Sequence, residues 1–140
     1  MSLGSTLLII ILGLIAFFIC AIIYVFRKET RRAANAERFY RENPDVSTIY
    51  IAESNQKNTW GRPRIGIEKV DGNKPVAIAN GVYVLPGQRN LTLYDDDSTG
   101  RRPVFHKVPS IIVEIEKGKD YFLLYDEVTR VARVERKIEK

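Results

Sequence analysis

The chain reads as an N-terminal single transmembrane α-helix followed by a mainly-β soluble domain, an antiparallel β-sandwich of about seven to eight strands. Three observations predict this. Leu7 to Phe26 is a twenty-residue run without a charged side chain. Residues 27–43 contain no Gly or Pro and keep a helix-favouring composition. After Pro44 the apolar period changes to two, the repeat of a half-buried strand.

At 1.5 Å of rise per residue, the apolar run makes a helix of about 30 Å, the thickness of a bilayer's hydrocarbon. A soluble protein would have to surround such a helix. The remainder, roughly 95 residues, is enough for one compact domain and too little for that task. A cleaved signal peptide would need a basic leader and a small-residue cleavage site. MSLGST carries no Lys or Arg, and no such site follows before the basic flank. Phe17, Phe18 and Ile19 stand before Cys20 where lipid attachment would call for small residues. The expected organisation is a short tail over 1–6, a retained span over 7–26, a basic juxtamembrane helical stalk over 27–43 and a β-sandwich over 44–140.

The net charge of +5 is concentrated next to the span. Between Arg27 and Glu42 there are six basic and three acidic residues, against sixteen and fourteen from Asn43 onward. The pI of about 9.4 therefore reflects the flank, and no nucleic-acid partner is implied. Arg27, Lys28, Arg31 and Arg32 would sit among lipid headgroups, each contributing about 1 kcal/mol of attraction to anionic lipid. Their plain role is a topology anchor, with specific phosphoinositide recognition as the sharper alternative. Because basic flanks stay cytoplasmic, the expectation is N-terminus outside and domain inside the cell. Gly13, Ala16 and Cys20 fall at i, i+3 and i+7 on one helix face. Such a stripe permits close association with another transmembrane helix, and otherwise tolerates lipid.

The stalk is supported by Glu37 four residues before Arg41, and Pro44 restricts Asn43 and ends the helix. Beyond it, alternating windows lie near 47–53, 63–70, 75–79, 82–85, 89–95, 104–107, 110–116 and 120–126. Residues 128–136 fit a strand, but Val128, Val131, Val134 and Ile138 also fit a helix face. Turn signals separate the windows at Asp71-Gly72, Asn80-Gly81, Pro86-Gly87, Ser98-Thr99-Gly100 and Lys117-Gly118-Lys119. Short strands at this spacing predict a sandwich or barrel.

The succession VDG, NG, YVLPG and EKGKDYFLLYD, over roughly Thr48 to Asp126, resembles the PEGA-type and related uncharacterised bacterial β-sandwich domains. The matching positions are Asp71-Gly72, Asn80-Gly81, Pro86-Gly87 and Gly118-Lys119-x-Tyr121. The full Pro-Glu-Gly-Ala sequence is absent, and Gln88, Arg89 and Asn90 follow the Pro-Gly turn where that family often has His. The resemblance implies a membrane-anchored or lipoprotein β-sandwich without common catalytic residues. It also implies an extracytoplasmic domain, opposite to the charge-derived orientation.

Little chemistry is encoded. Cys20 lies in the apolar run and His106 is the only histidine, which removes Cys-His nucleophiles and the usual zinc ligand sets. His106 is expected as a surface or hydrogen-bonded structural residue. Asp95-Asp96-Asp97-Ser98-Thr99-Gly100 resembles the opening of a calcium loop, but the twelfth position is His106 in place of a bidentate Glu. The plainer expectation is a solvated hairpin tip facing Arg101 and Arg102. Trp60 lies in the longest loop with Lys57, Arg62 and Arg64. It is expected either to fold back over the sandwich end or, with Arg62 and Arg64, to form a partner contact. One Trp does not make a nucleic-acid stacking platform.

No metal or cofactor is expected. The function indicated is a membrane-tethered, non-catalytic binding or assembly module, its partners the lipid bilayer and a protein. The alternatives are an accessory subunit of a larger membrane complex held mainly by its helix, and a membrane-bound enzyme using carboxylates such as Asp95 and Asp97. The enzyme is disfavoured because both carboxylates are expected on an exposed tip, without a pocket.

Overall fold

The structure, a computed structural model, describes residues 2–98 and 102–138. It divides into two units, Met1–Asn35 and Ala36–Lys140.

In the first unit the described residues are helical from Leu3, as part of helix α1 (Leu3–Glu42), and every side chain over 2–35 is exposed. This helix is long and apolar enough to cross a membrane, and none of its most apolar stretch is buried by protein. The Thr30 hydroxyl donates to the Phe26 carbonyl at 2.8 Å, at the change from apolar to basic sequence.

In the second unit, Ala36 is the only buried side chain of α1, and the Tyr40 ring lies 5.6 Å from that of Tyr83. The helix stops where Pro44 requires. Asn43 turns its side-chain amide back onto the Phe39 carbonyl at 2.9 Å, and the Val46 N–H closes a turn onto Asn43 at 3.1 Å.

Among the described residues nine strands follow, in two sheets: β1 (Ser47–Ile51), β2 (Ile65–Val70), β3 (Val76–Ile78), β4 (Gly81–Val84), β5 (Gly87–Asp96), β6 (Phe105–Lys107), β7 (Ile111–Ile115), β8 (Asp120–Asp126) and β9 (Val131–Arg136). The five-stranded sheet has the order β3-β4-β1-β8-β9. In the four-stranded sheet the long β5 pairs with β2 along one edge and with β6 and β7 along the other. The arrangement is sandwich-like. Ile49, Val84 and Leu123 from one sheet meet Ile65, Leu91, Leu93 and Ile115 from the other in a single core. Period-two patterning produced this directly. In β7, Ile115 is buried while Ile112 points to solvent.

One expectation changes and one open alternative is resolved. The sandwich is not wholly antiparallel, because β1 pairs antiparallel with β4 but parallel with β8, Ile49 opposite Tyr121. Alternation reports which face is buried and carries no information on strand direction. The ambiguous C-terminal stretch is strand over Val131–Arg136, with Ala132 buried and its pairing to β8 running from Asp126 back to Tyr121. The pairing partner decides between two periodicities that its sequence satisfies equally.

Candidate binding end of the sandwich

β1 and β8 run parallel, so Ile51, Asp126 and the start of β9 lie at one end of their sheet. The end of β5 and the start of β2 meet there too, because Arg64 and Asp95 join them to Tyr125 and Glu127. This end carries the loop over 52–64. Ser47, at the other end of β1, is tied by its hydroxyl to the Glu116 carbonyl at 2.6 Å.

The loop is built rather than slack. Asn55 is buried, and its side chain takes the place of a strand beside β8. Its amide donates to the Leu123 carbonyl at 2.8 Å, and its oxygen accepts from the Tyr125 N–H at 3.0 Å. The chain then forms a small hairpin. The Arg64 N–H bonds the Gln56 carbonyl at 3.0 Å, the Asn58 N–H bonds Arg62 at 2.8 Å, and Gly61, at φ +73°, closes the turn onto Asn58 at 3.0 Å. The buried Asn58 side chain gathers the tip: its oxygen accepts from the N–H groups of Trp60 at 3.0 Å and Arg62 at 3.1 Å, and its amide reaches Asp96 at 3.4 Å.

At the base of this hairpin an ionic clamp joins the two sheets. Asp95 is 0 % exposed. Arg64 grips it in two-point fashion, Nε to Oδ1 and Nη2 to Oδ2, both at 2.9 Å. From the opposite sheet the Tyr125 hydroxyl donates to Oδ2 at 2.7 Å. Arg64 also reaches Glu127 at 3.4 Å and Asp97 at 3.6 Å, and His106 Nε2 lies 3.5 Å from Asp97. The electrostatics follow. Burial alone would raise the Asp95 pKa, but the hydrogen bonds from Arg64 and Tyr125 and the Arg64 charge outweigh it, and the net shift is downward. The Arg64 pKa is raised, chiefly by its bond to Asp95. Burial and the bond to Asp95 push the Tyr125 phenol up to about 12.

Asp95 is therefore not on a solvated tip, as its acidic neighbours suggested. It continues the inward parity of Leu91 and Leu93, just as Tyr125 continues that of Tyr121 and Leu123. Extending both alternations by one step was the signal that would have placed them. A buried carboxylate with three of its roughly four lone-pair sites taken, two of them by a paired guanidinium, is held as a structural anion and is poorly suited to take a proton as a base. The calcium-loop resemblance also loses its first ligand to Arg64. Asp96 accepts from both the N–H and the hydroxyl of Ser98, while Thr99, Gly100 and Arg101 lie outside the described residues. Among the described residues no group of three or more His, Cys, Asp or Glu side chains is placed to hold a metal.

The three residues expected to form a partner contact separate. Arg64, with its side chain 14 % exposed, belongs to the clamp. Trp60 does not fold back over the sandwich; it is 65 % exposed at the tip, beside exposed Arg62 and Lys57. The backbone of the tip is held by Asn58, which keeps Trp60 at the end of the hairpin. The turn after β8 adds a second apolar tip. Asp126 accepts from the N–H groups of Val128 and Thr129, and Val128 projects 87 % exposed. Beside this turn an open cleft of about 590 Å³ is lined by residues including Ser54, Gln56, Glu127 and Arg133. In the first unit, Arg27, Lys28, Arg31 and Arg32 are exposed on the helix and Gly13, Ala16 and Cys20 are exposed on its apolar part.

The chain matches no family model, no curated protein and no solved structure. The functional reading therefore rests on the geometry of this end of the domain.

Proposed function

We propose that the chain is a membrane-tethered, non-catalytic binding module. Leu7–Phe26 is retained as the span, Arg27, Lys28, Arg31 and Arg32 hold its flank on the cytoplasmic side, and the sandwich presents its loop end to a partner. Tethering confines the domain to a surface, which raises the effective concentration of anything bound there without adding a contact.

The observation that carries this reading is the hairpin over 56–64. An indole ring left in water is ordinarily mobile and poorly placed. Here three backbone hydrogen bonds and the Asn58 side chain hold the tip so that the ring is displayed in advance. Such pre-organisation lowers the entropic cost of engaging a partner, and Trp beside Arg is the composition enriched at binding hot spots.

The test is a photo-crosslinking residue in place of exposed Thr59, in the full chain in membranes. An adduct is expected, and Trp60→Ala should reduce its yield by about tenfold or more. Failure to form any adduct, or a yield indifferent to Trp60, would overturn the assignment of this end as the binding surface.

A further inference from the structure

The charges around the hairpin divide into two sets. The acids beneath it on β5 and the turns beside it are engaged, Asp95 by Arg64 and Tyr125, Asp96 by Asn58 and Ser98, Asp97 by Arg64 and His106 and Glu127 by Arg64, while Glu53 at the start of the loop is exposed. The tip is different. Residues 56–64 contain no acid, Arg64 is turned inward, and Lys57 and Arg62 are exposed with no ion pair among the described residues. What faces outward is a single indole ring between two uncompensated cations.

We propose that this tip docks on an anionic phospholipid surface, Trp60 entering the headgroup region while Lys57 and Arg62 engage lipid phosphates. The proposal rests on the loop end being the binding surface and names its partner. Three features favour lipid. The tip is convex, so it suits a soft surface that closes around it; a protein hot spot needs a ring of contacts that excludes water, and nucleic acid needs several stacking rings. An indole, apolar in body with one N–H donor, is the side chain most at home at a membrane interface, and cations beside it draw anionic headgroups. Val128, projecting from the turn that Glu127 ties to Arg64, supplies a second apolar point on the same end.

Trp60 is the only tryptophan in the chain, so its fluorescence reports on this tip alone. The full chain is reconstituted into protein-free lipid vesicles of phosphatidylcholine with brominated acyl chains, with or without phosphatidylglycerol. A second arm uses unbrominated vesicles carrying the chain, mixed with separate brominated ones. In one arm or the other, anionic lipid should shift the emission to the blue and bring quenching by bromine. Lys57→Gln with Arg62→Gln should weaken the anionic-lipid dependence roughly 30-fold, with the thermal midpoint of the domain checked to be unchanged. Solvent-type emission without quenching in both arms overturns the proposal, as does equal quenching in neutral and anionic lipid. A protein adduct from position 59 with no bromine quenching rejects lipid as the partner but leaves the binding end intact. Absence of both removes the binding end as well.

Discussion

Asp95 is the residue on which the domain's electrostatics turn. Its carboxylate is tolerated in the core only because Arg64 and Tyr125 meet it with three hydrogen bonds. Removing the cation alone should be costly. Arg64→Ala leaves a buried charge uncompensated and is expected to destabilise the domain by about 3–5 kcal/mol, whereas Arg64→Met with Asp95→Leu should cost much less. Chemical denaturation of the single and double variants checks this; a double variant worse than the single would show that the clamp contributes net stability. The pKa shifts also set a pH range. Asp95 is lowered, so the unfolded chain binds its proton more readily, and stability falls as pH drops below the ordinary carboxylate value of about 4. Tyr125 is raised to about 12, so its contribution is complete below the ordinary value of about 10 and is lost as pH climbs towards 12. Thermal midpoints across pH should form a plateau that falls at both ends, and Tyr125→Phe should flatten the alkaline limb. The clamp was half legible in the sequence. Parity points Asp95 inward, but its partners are 31 and 30 residues away and only pairing of the sheets identifies them.

Among the elements, the helix and most strands follow from local rules. Pro44 ends α1, and turn residues separate the β windows that alternation defines. What local rules leave open is direction and partner, hence the parallel β1–β8 pair and the strand character of Val131–Arg136. Gly81 shows how tightly the inner pairs are built. It reads in sequence as half of an Asn-Gly turn, yet it lies opposite Tyr50 as the first residue of β4, where a Cβ would collide with the Ile49 carbonyl. Gly66 is similarly filled, by the ring of its cross-strand neighbour Tyr94. Gly81→Ala should therefore destabilise the domain by about 1–3 kcal/mol, since backbone must shift. Gly66→Ala should cost less, because a side chain can swing aside, and Tyr94→Ala should largely relieve it. Thermal melts of the two single variants and the Gly66→Ala/Tyr94→Ala pair decide the order.

At the scale of the whole molecule, the sequence announces a long apolar helix and a sandwich but not where on the sandwich the exposed indole stands. Trp60 and its cations were visible as a composition; their separation from Arg64, and the neutralisation of the acids beneath them, required the fold. The parallel strand also has a consequence in time. β1 is the first strand made, yet it lies in the middle of its sheet, and the Ser47 hydroxyl awaits the Lys119 N–H, 72 residues further along the chain. Synthesis therefore completes the helix well before β1 has anything to pair with on that side. High contact order of this kind slows folding and prolongs the exposure of unpaired edges. The long apolar helix is made first and the domain closes only when β8 arrives, so a chain cut short after Glu116 would carry the helix but be left with an open, sticky sheet.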